Sequence, residues 1–296
     1  RVWQAPIVEC RSMIERLRTY ASFVRFSHSV FALPFALVGV LLASQYAPVT
    51  LGRAGWIVAA MVAARSAAMG FNRLVDARHD ALNPRTAARE MPRGAISRTQ
   101  AIGFVAGWSA VFVGVTSQIS TLCFVLSPVA LAIVFWYSLA KRYTTYAQLF
   151  LGLAMAVAPV GGWIAAGGPI RWEPVLLAVA IGAWVGGFDV LYACQDLEFD
   201  RRHGLRSIPV RFGVRRAVWI ARVLHVVTVM ALGALGVVTD LGPVYLGGVG
   251  AVAALLAYEQ SLVCADDLSR VKQAFDLNGY VGLLYLLTTA VAVYVR

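Results

Sequence analysis

Asn72, Asp76 and Asp80 recur every four residues, a step that on a helix stacks their side chains along one face. Arg65 and Met69 continue that face in the other direction. A second stripe, Asp189, Tyr192, Asp196 and Asp200, advances by three, four and four. Both stripes close hydrophobic runs, where charge is costly to bury and is normally compensated by an ion, a substrate or water. One Asp in such a place reads as a helix-end charge snorkelling to the membrane surface; two aligned sets do not. Facing one another, they bring four or more carboxylates into one pocket, where mutual repulsion calls for bound cations. Hard oxygen donors select Mg²⁺ over softer metals, and Mg²⁺ commonly shares its shell with substrate phosphates. Arg73, Lys141, Arg142, Arg201, Arg202 and Arg206 flank the stripes and supply charge for the outer phosphate oxygens.

The elements that position these residues are membrane spans. Of 296 residues, 59% are hydrophobic and only 14% charged, and the mean hydropathy is +0.71, which places the chain outside soluble proteins. The formal net charge of +11 lies in short loops between apolar stretches. That distribution argues for membrane topology and anionic ligands and against a nucleic-acid partner, which needs a basic face in solution. A hydrocarbon core of ~30 Å takes about 20 helical residues. By that measure nine spans are expected, near 23–44, 54–75, 99–117, 120–140, 146–166, 174–195, 216–238, 241–262 and 276–295. Lys and Arg crowd alternate loops, which predicts a cytoplasmic N-terminus and an outside C-terminus.

Residues 7–20 alternate apolar and charged side chains at helical spacing, as an amphipathic helix at the interface does. The chain starts at Arg1 rather than Met, as a trimmed start would, and its opening lacks the apolar core and cleavage site of a signal peptide. Two long loops, 81–98 and 201–215, each follow an acidic stripe and are expected to be functional. Cys10, Cys123, Cys194 and Cys264 are scattered and read as buried thiols, not as zinc ligands or disulfides. The expectation is an all-α integral membrane protein, one domain over 1–296 with 1–22 at the interface, and a central polar pocket on the cytoplasmic side.

Asn72-xxx-Asp76-xxx-Asp80 together with Tyr192-xxx-Asp196-xxx-Asp200 resembles the paired NxxxDxxxD and DxxxD motifs of the UbiA superfamily of intramembrane aromatic prenyltransferases. The resemblance extends over nearly the whole chain and includes Arg25-Phe-Ser-His28, Tyr137-Ser-Leu-Ala-Lys141-Arg142 and Ser207-Ile-Pro209-Val-Arg211-Phe-Gly213. It implies nine transmembrane helices with the motifs on the second and sixth. Within the superfamily the chain is most similar to a bacterial branch often labelled 4-hydroxybenzoate polyprenyltransferase, some members of which resemble the menaquinone-pathway enzyme MqnP, which acts on a dihydroxynaphthoate.

That resemblance implies transfer of a polyprenyl group from an allylic diphosphate to an aromatic carboxylate acceptor within the bilayer. Asn72, Asp76 and Asp80 are expected to hold one Mg²⁺, and Asp196 and Asp200 another. Arg73, Lys141, Arg142 and Arg201 are expected on the diphosphate. For the acceptor, Arg65 lies about 10 Å deeper than Asn72 by helical rise, while Arg25 opens the first span; either suits a carboxylate. Asp189 is placed to orient the acceptor, contact Arg65 or remove the ring proton, and Tyr137 and Tyr192 to pack on the reacting groups. A cation-coupled transporter is the rival reading of intramembrane acids, although these acids cluster at one membrane face and not at the midplane.

Overall fold

The computed structural model describes residues 13–24 and 33–295, with side chains from residue 18 onward in the first stretch. Arg25, His28 and Cys10 fall outside the described residues. The regular elements are helical: α1 Met13–Phe23, α2 Leu33–Ala43, α3 Leu51–Leu82, α4 Arg98–Ile119, α5 Thr121–Tyr143, α6 Ala147–Ala166, α7 Glu173–Ala193, α8 Leu197–Arg202, α9 Ile208–Phe212, α10 Val214–Val238, α11 Gly242–Ser261 and α12 Val271–Tyr294. Eight helical stretches, with α7 and α8 counted as one, are long and apolar enough to cross a membrane. The shorter apolar α2 covers the described part of the expected first span.

Two helices depart from expectation in ways that matter for the site. α3 runs 32 residues, about 48 Å, well beyond a ~30 Å hydrocarbon core. Thr50 starts it by accepting from the Arg53 backbone N–H at 3.2 Å, and it ends only at the Asn83 cap. Its last turns, which carry Asp76 and Asp80, make up the charged end of that long helix. The second stripe does not lie on one continuous helix. α7 stops at Ala193, a 3₁₀ turn occupies Cys194–Asp196, and α8 resumes at Leu197. A 3₁₀ turn advances about 120° per residue in place of 100°, so the break swings Asp196 and Asp200 round relative to Asp189.

α7 is the centre of the bundle. The apolar window of its span is 61% buried, against 17% for α4, in keeping with a helix that is hydrophobic on all sides. It packs most extensively on α10 and α6. Phe35, Trp163, Trp184, Leu177, Tyr245 and Tyr285 anchor one core drawn from α2, α6, α7, α11 and α12. Three helices there meet backbone to backbone. A Cβ on Gly39 would lie 2.1 Å from the Pro159 carbonyl oxygen, one on Gly162 2.3 Å from that of Ala36, and one on Gly152 2.2 Å from that of Gly182. Only glycine permits such approach. Gly167 instead closes α6 in the left-handed region at φ 90.

The thiols divide. Cys123 and Cys194 are buried as expected, but Cys264 is exposed, because it sits in the turn after α11, bridged to Asp267. The long loop after α3 is ordered. Thr86 Oγ1 donates to the Asp80 carbonyl at 3.1 Å, the Glu90 carbonyl accepts from Ala95 N–H at 2.8 Å, and Ser22 of α1 donates to Glu90 Oε1 at 2.5 Å. Ser97 and Gln100 then start α4 with a reciprocal capping box.

Candidate active site

A cavity of about 660 Å³ opens between the ends of α3, α5 and α7. Along α3 its lining runs from Ile57 to Asp80, roughly 34 Å of helix. The mouth and the interior differ in chemistry. Asn72, Asp76, Asp80, Lys141, Arg142, Asp196 and Asp200 stand at the mouth, while Ile57, Met61, Phe112, Leu126, Met155 and Trp184 line the depths. Arg65, Tyr137, Asp189 and Tyr192 lie between.

The two acidic stripes do face one another across the cavity, and Asp76, Asp80, Asp196 and Asp200 each meet a base. Arg89 Nη1 donates to both oxygens of Asp80, at 2.7 and 2.8 Å. Arg85 Nη2 donates to Asp196 Oδ2 at 2.6 Å, and its Nη1 to the Tyr192 hydroxyl at 2.6 Å. The same guanidinium lies 5.1 Å above the Tyr192 ring, a cation–π contact. Asp76 accepts from Asn72 Nδ2 at 3.0 Å and stands 3.4 Å from Arg142 Nη2, which also donates to the Val75 carbonyl at 2.6 Å. Lys141 Nζ is 3.7 Å from Asp200 Oδ2, beyond hydrogen-bond reach. Lys141 and Arg142 end α5, where the helix dipole favours cations.

Two residues expected on the diphosphate lie elsewhere. Arg73 is buried at 4% exposure, with Nε 3.4 Å from the Phe23 carbonyl of α1. Arg201 is largely exposed and stands 3.9 Å from Glu198. The cause is the same in both cases: each immediately follows a stripe residue, so a turn of about 100° points it off the stripe's face. Arg202 likewise pairs with Glu198, at 3.7 Å. Arg206 is used structurally, donating from Nη1 to the Tyr143 carbonyl at 2.8 Å and from its backbone N–H to the Lys141 carbonyl at 2.7 Å. His203 caps α8 and stacks on Phe199 with centroids 4.1 Å apart, a structural role.

Sequence reasoning passed over Arg85, Arg89 and the setting of Asn278. The arginines sit four apart in a loop that directly follows an acidic stripe, which was the available signal. Asn278, fully buried, accepts from Trp184 Nε1 at 2.7 Å and donates to the Ala274 and Phe275 carbonyls, each at 3.2 Å. It thus fixes an indole that lines the cavity.

Asn72, Asp76, Asp80, Asp196 and Asp200 present only oxygen donors, the set that suits a hard divalent cation such as Mg²⁺. Among the described residues Asp200 Oδ2 is buried without a hydrogen bond and has Lys141 Nζ at 3.7 Å, an orphaned buried oxygen of the kind a hard cation takes as a ligand. Among the described residues no three Asp, Glu, His or Cys side chains form a ready cage. In donor chemistry the residues fit the ion.

Comparison with known proteins gives concordant results. A family model described as the UbiA prenyltransferase family matches residues 32–287. The chain is 32% identical over 230 residues to a 4-hydroxybenzoate octaprenyltransferase of Vibrio campbellii, covering 77% of this chain and 80% of that protein. It superposes on the apo structure of a UbiA homolog from Aeropyrum pernix K1 with a TM-score of 0.81 and 34% identity, covering 88% of this chain and 96% of the other. A UbiA homolog from Archaeoglobus fulgidus bound to GPP and Mg²⁺ shares the fold, with a TM-score of 0.71 and 18% identity over 93% of this chain and 99% of that one.

Proposed function

The chain belongs to the UbiA prenyltransferase family and is a prenyltransferase, and from that premise we propose that it transfers a polyprenyl group from an allylic diphosphate to an aromatic acid in an Mg²⁺-dependent reaction. The acceptor class is 4-hydroxybenzoate or a dihydroxynaphthoate, which puts the reaction in ubiquinone or menaquinone biosynthesis. The observation that carries the reading is a single cavity joining two facing acidic stripes and their bases to a long apolar interior. A prenyl diphosphate uses both ends. The GPP and Mg²⁺ bound to the Archaeoglobus fulgidus homolog support the same pairing of ligands.

Asn72, Asp76 and Asp80 hold one cation, and Asp196 and Asp200 a second. Bound Mg²⁺ supplies Lewis-acid neutralisation of the charge that develops on the departing diphosphate. Lys141 and Arg142, on the rigid end of α5, bind the outer phosphate oxygens. The apolar lining takes the tail and keeps water from the allylic cation, so that the acceptor ring is the nucleophile that reaches it. Arg65, deep in the same cavity, binds the acceptor carboxylate, and Tyr137 and Tyr192 pack beside the ring. Asp189, between the two zones, accepts the ring proton or orients the acceptor, and with Asp76 and Asp196 it makes up the catalytic set. Arg25, the other acceptor candidate, lies outside the described residues.

The chain acts as one domain in the cell inner membrane. Its Lys- and Arg-rich loops put the charged mouth and the N-terminus on the cytoplasmic side and the C-terminus outside. The decisive experiment offers the purified protein 4-hydroxybenzoate and dihydroxynaphthoates with several allylic diphosphates and identifies products by mass. Product is expected only with Mg²⁺, and Asp76→Ala and Asp196→Ala are expected to lose at least ~10²-fold in rate. Full transfer by both variants refutes the site.

A further inference from the structure

Asp76, Asp80, Asp196 and Asp200 each stand within 4 Å of a basic side chain, yet the four bases are not equivalent. Lys141 and Arg142 belong to α5 and stand off at 3.7 and 3.4 Å. Arg85 and Arg89 belong to the loop after α3 and bind at 2.6 to 2.8 Å, on a segment with no helix of its own. Between them they reach both stripes: Arg89 turns back to Asp80 on α3, and Arg85 crosses the mouth to Asp196 and Tyr192.

These contacts cover both carboxylate oxygens of Asp80 and one of the two of Asp196, groups that a divalent cation would use. Mg²⁺ binds carboxylate oxygens at about 2.1 Å in near-octahedral geometry. Such an ion on Asp196 Oδ2 would lie against a guanidinium 2.6 Å from the same oxygen, and the two cations repel. One must leave. The guanidinium is the group with somewhere to go. It hangs over the mouth, and its planar fork suits phosphate oxygens as well as it suits a carboxylate.

Building on the metal–diphosphate reading above, we propose that Arg85 and Arg89 form an exchangeable latch. In the metal-free protein they stand in for the cations and hold the stripes in place. They surrender the carboxylates when metal enters and close the loop again on the diphosphate. They are thus diphosphate-binding residues that compete with the metal until the diphosphate arrives. The latch gives the two ligands opposite dependences on the same side chain.

The experiment measures ligand-induced thermal stabilisation of the full chain in detergent, first with MgCl₂ alone and then with inorganic pyrophosphate at saturating Mg²⁺. For Arg85→Ala the half-saturating Mg²⁺ concentration is expected to fall about threefold, a modest change because Arg85 is partly solvent-exposed. The half-saturating pyrophosphate concentration is expected to rise roughly tenfold, the scale of losing charge-assisted hydrogen bonds. If both ligands weaken together, or neither moves, the latch is wrong even though the metal–diphosphate site stands. If the unaltered protein responds to neither ligand, the underlying site reading fails and the latch fails with it. A second measurement needs no variant: amide hydrogen exchange of residues 83–97. Exchange is expected to speed up on adding Mg²⁺ alone and slow again when pyrophosphate follows; slowing at both steps overturns the exchange.

Discussion

Adjacent glycines on α6 are expected to respond in opposite directions to the same substitution. A Cβ on Gly162 would lie 2.3 Å from the Ala36 carbonyl oxygen, 3.1 Å from its carbon and 3.4 Å from its Cα. All three are backbone atoms of α2, so no side chain can step aside. Reaching ordinary contact requires α2 and α6 to part by about 1 Å, a gap that forfeits a quarter to a half of each dispersion contact across it. The contacts affected include the reciprocal one, where Gly39 meets Pro159. The cost of such overpacking is about 1–3 kcal/mol, which at roughly 2 °C per kcal/mol lowers the melting temperature of Gly162→Ala by about 2–6 °C. Gly161, its neighbour, has no heavy atom within 4 Å of an added Cβ. There alanine relieves only the entropic weakness of glycine in a helix, worth about 0.5–1 kcal/mol in the stabilising direction. The assay is a melting curve of the two variants and the parent at one scan rate in one detergent, since unfolding of such proteins is often irreversible. Equal melting temperatures for the two variants refute the claim that α2 and α6 touch through their backbones.

Three further outcomes concern Arg65 in the cavity and two buried polar side chains outside it. Arg65→Ala is expected to raise the acceptor KM by at least ~10-fold while leaving the KM for the prenyl diphosphate nearly unchanged; equal effects on both substrates contradict its assignment to the acceptor. Asn278→Leu leaves the Trp184 indole N–H without its partner, costing about 1–3 kcal/mol, with a change in tryptophan emission as the local readout; an unaltered melt and emission spectrum contradict the role. Glu259 is 1% exposed, and among the described residues neither carboxylate oxygen has a partner at hydrogen-bond geometry; its polar neighbour is the Asn278 amide, which already donates to the Ala274 and Phe275 carbonyls. Glu259→Leu should therefore melt no lower than the parent and about 1–3 kcal/mol more stably in favourable packing, and a lower melting temperature means that the carboxyl has a partner after all.

Much of the site was legible because helical spacing is a strong constraint. Asn72, Asp76 and Asp80 are four apart, and the long α3 keeps that register to its end. The same rule, applied one residue on, shows why Arg73 turns away toward Phe23; the information was in the spacing, but proximity in sequence outweighed it. The break at Cys194–Asp196 was not legible, since Ala193 to Leu197 contain neither Gly nor Pro. The 3₁₀ turn opens on Cys194, which is buried beside α7, a setting that local sequence does not spell out. Arg85 reaches Asp196 across 111 residues of chain, and no local pattern encodes a contact of that range. Cys264 misled because burial statistics for cysteine say nothing about a residue placed in a turn.

The backbone contacts of α6 have a consequence for how this protein changes over generations or under redesign. Seated directly on α2 and α7 through Gly152 and Gly162, that face of α6 is a wall with no slack, and a substitution on it disturbs three helices at once. α4 and α5 face the same cavity with Phe112, Leu126, Val129 and Ile133, but much of their outer surface is open, so a larger or smaller side chain is absorbed against lipid. Shifts in the length of prenyl chain accepted should therefore accumulate on α4 and α5, and a library aimed at new donors belongs there, with α6 held constant.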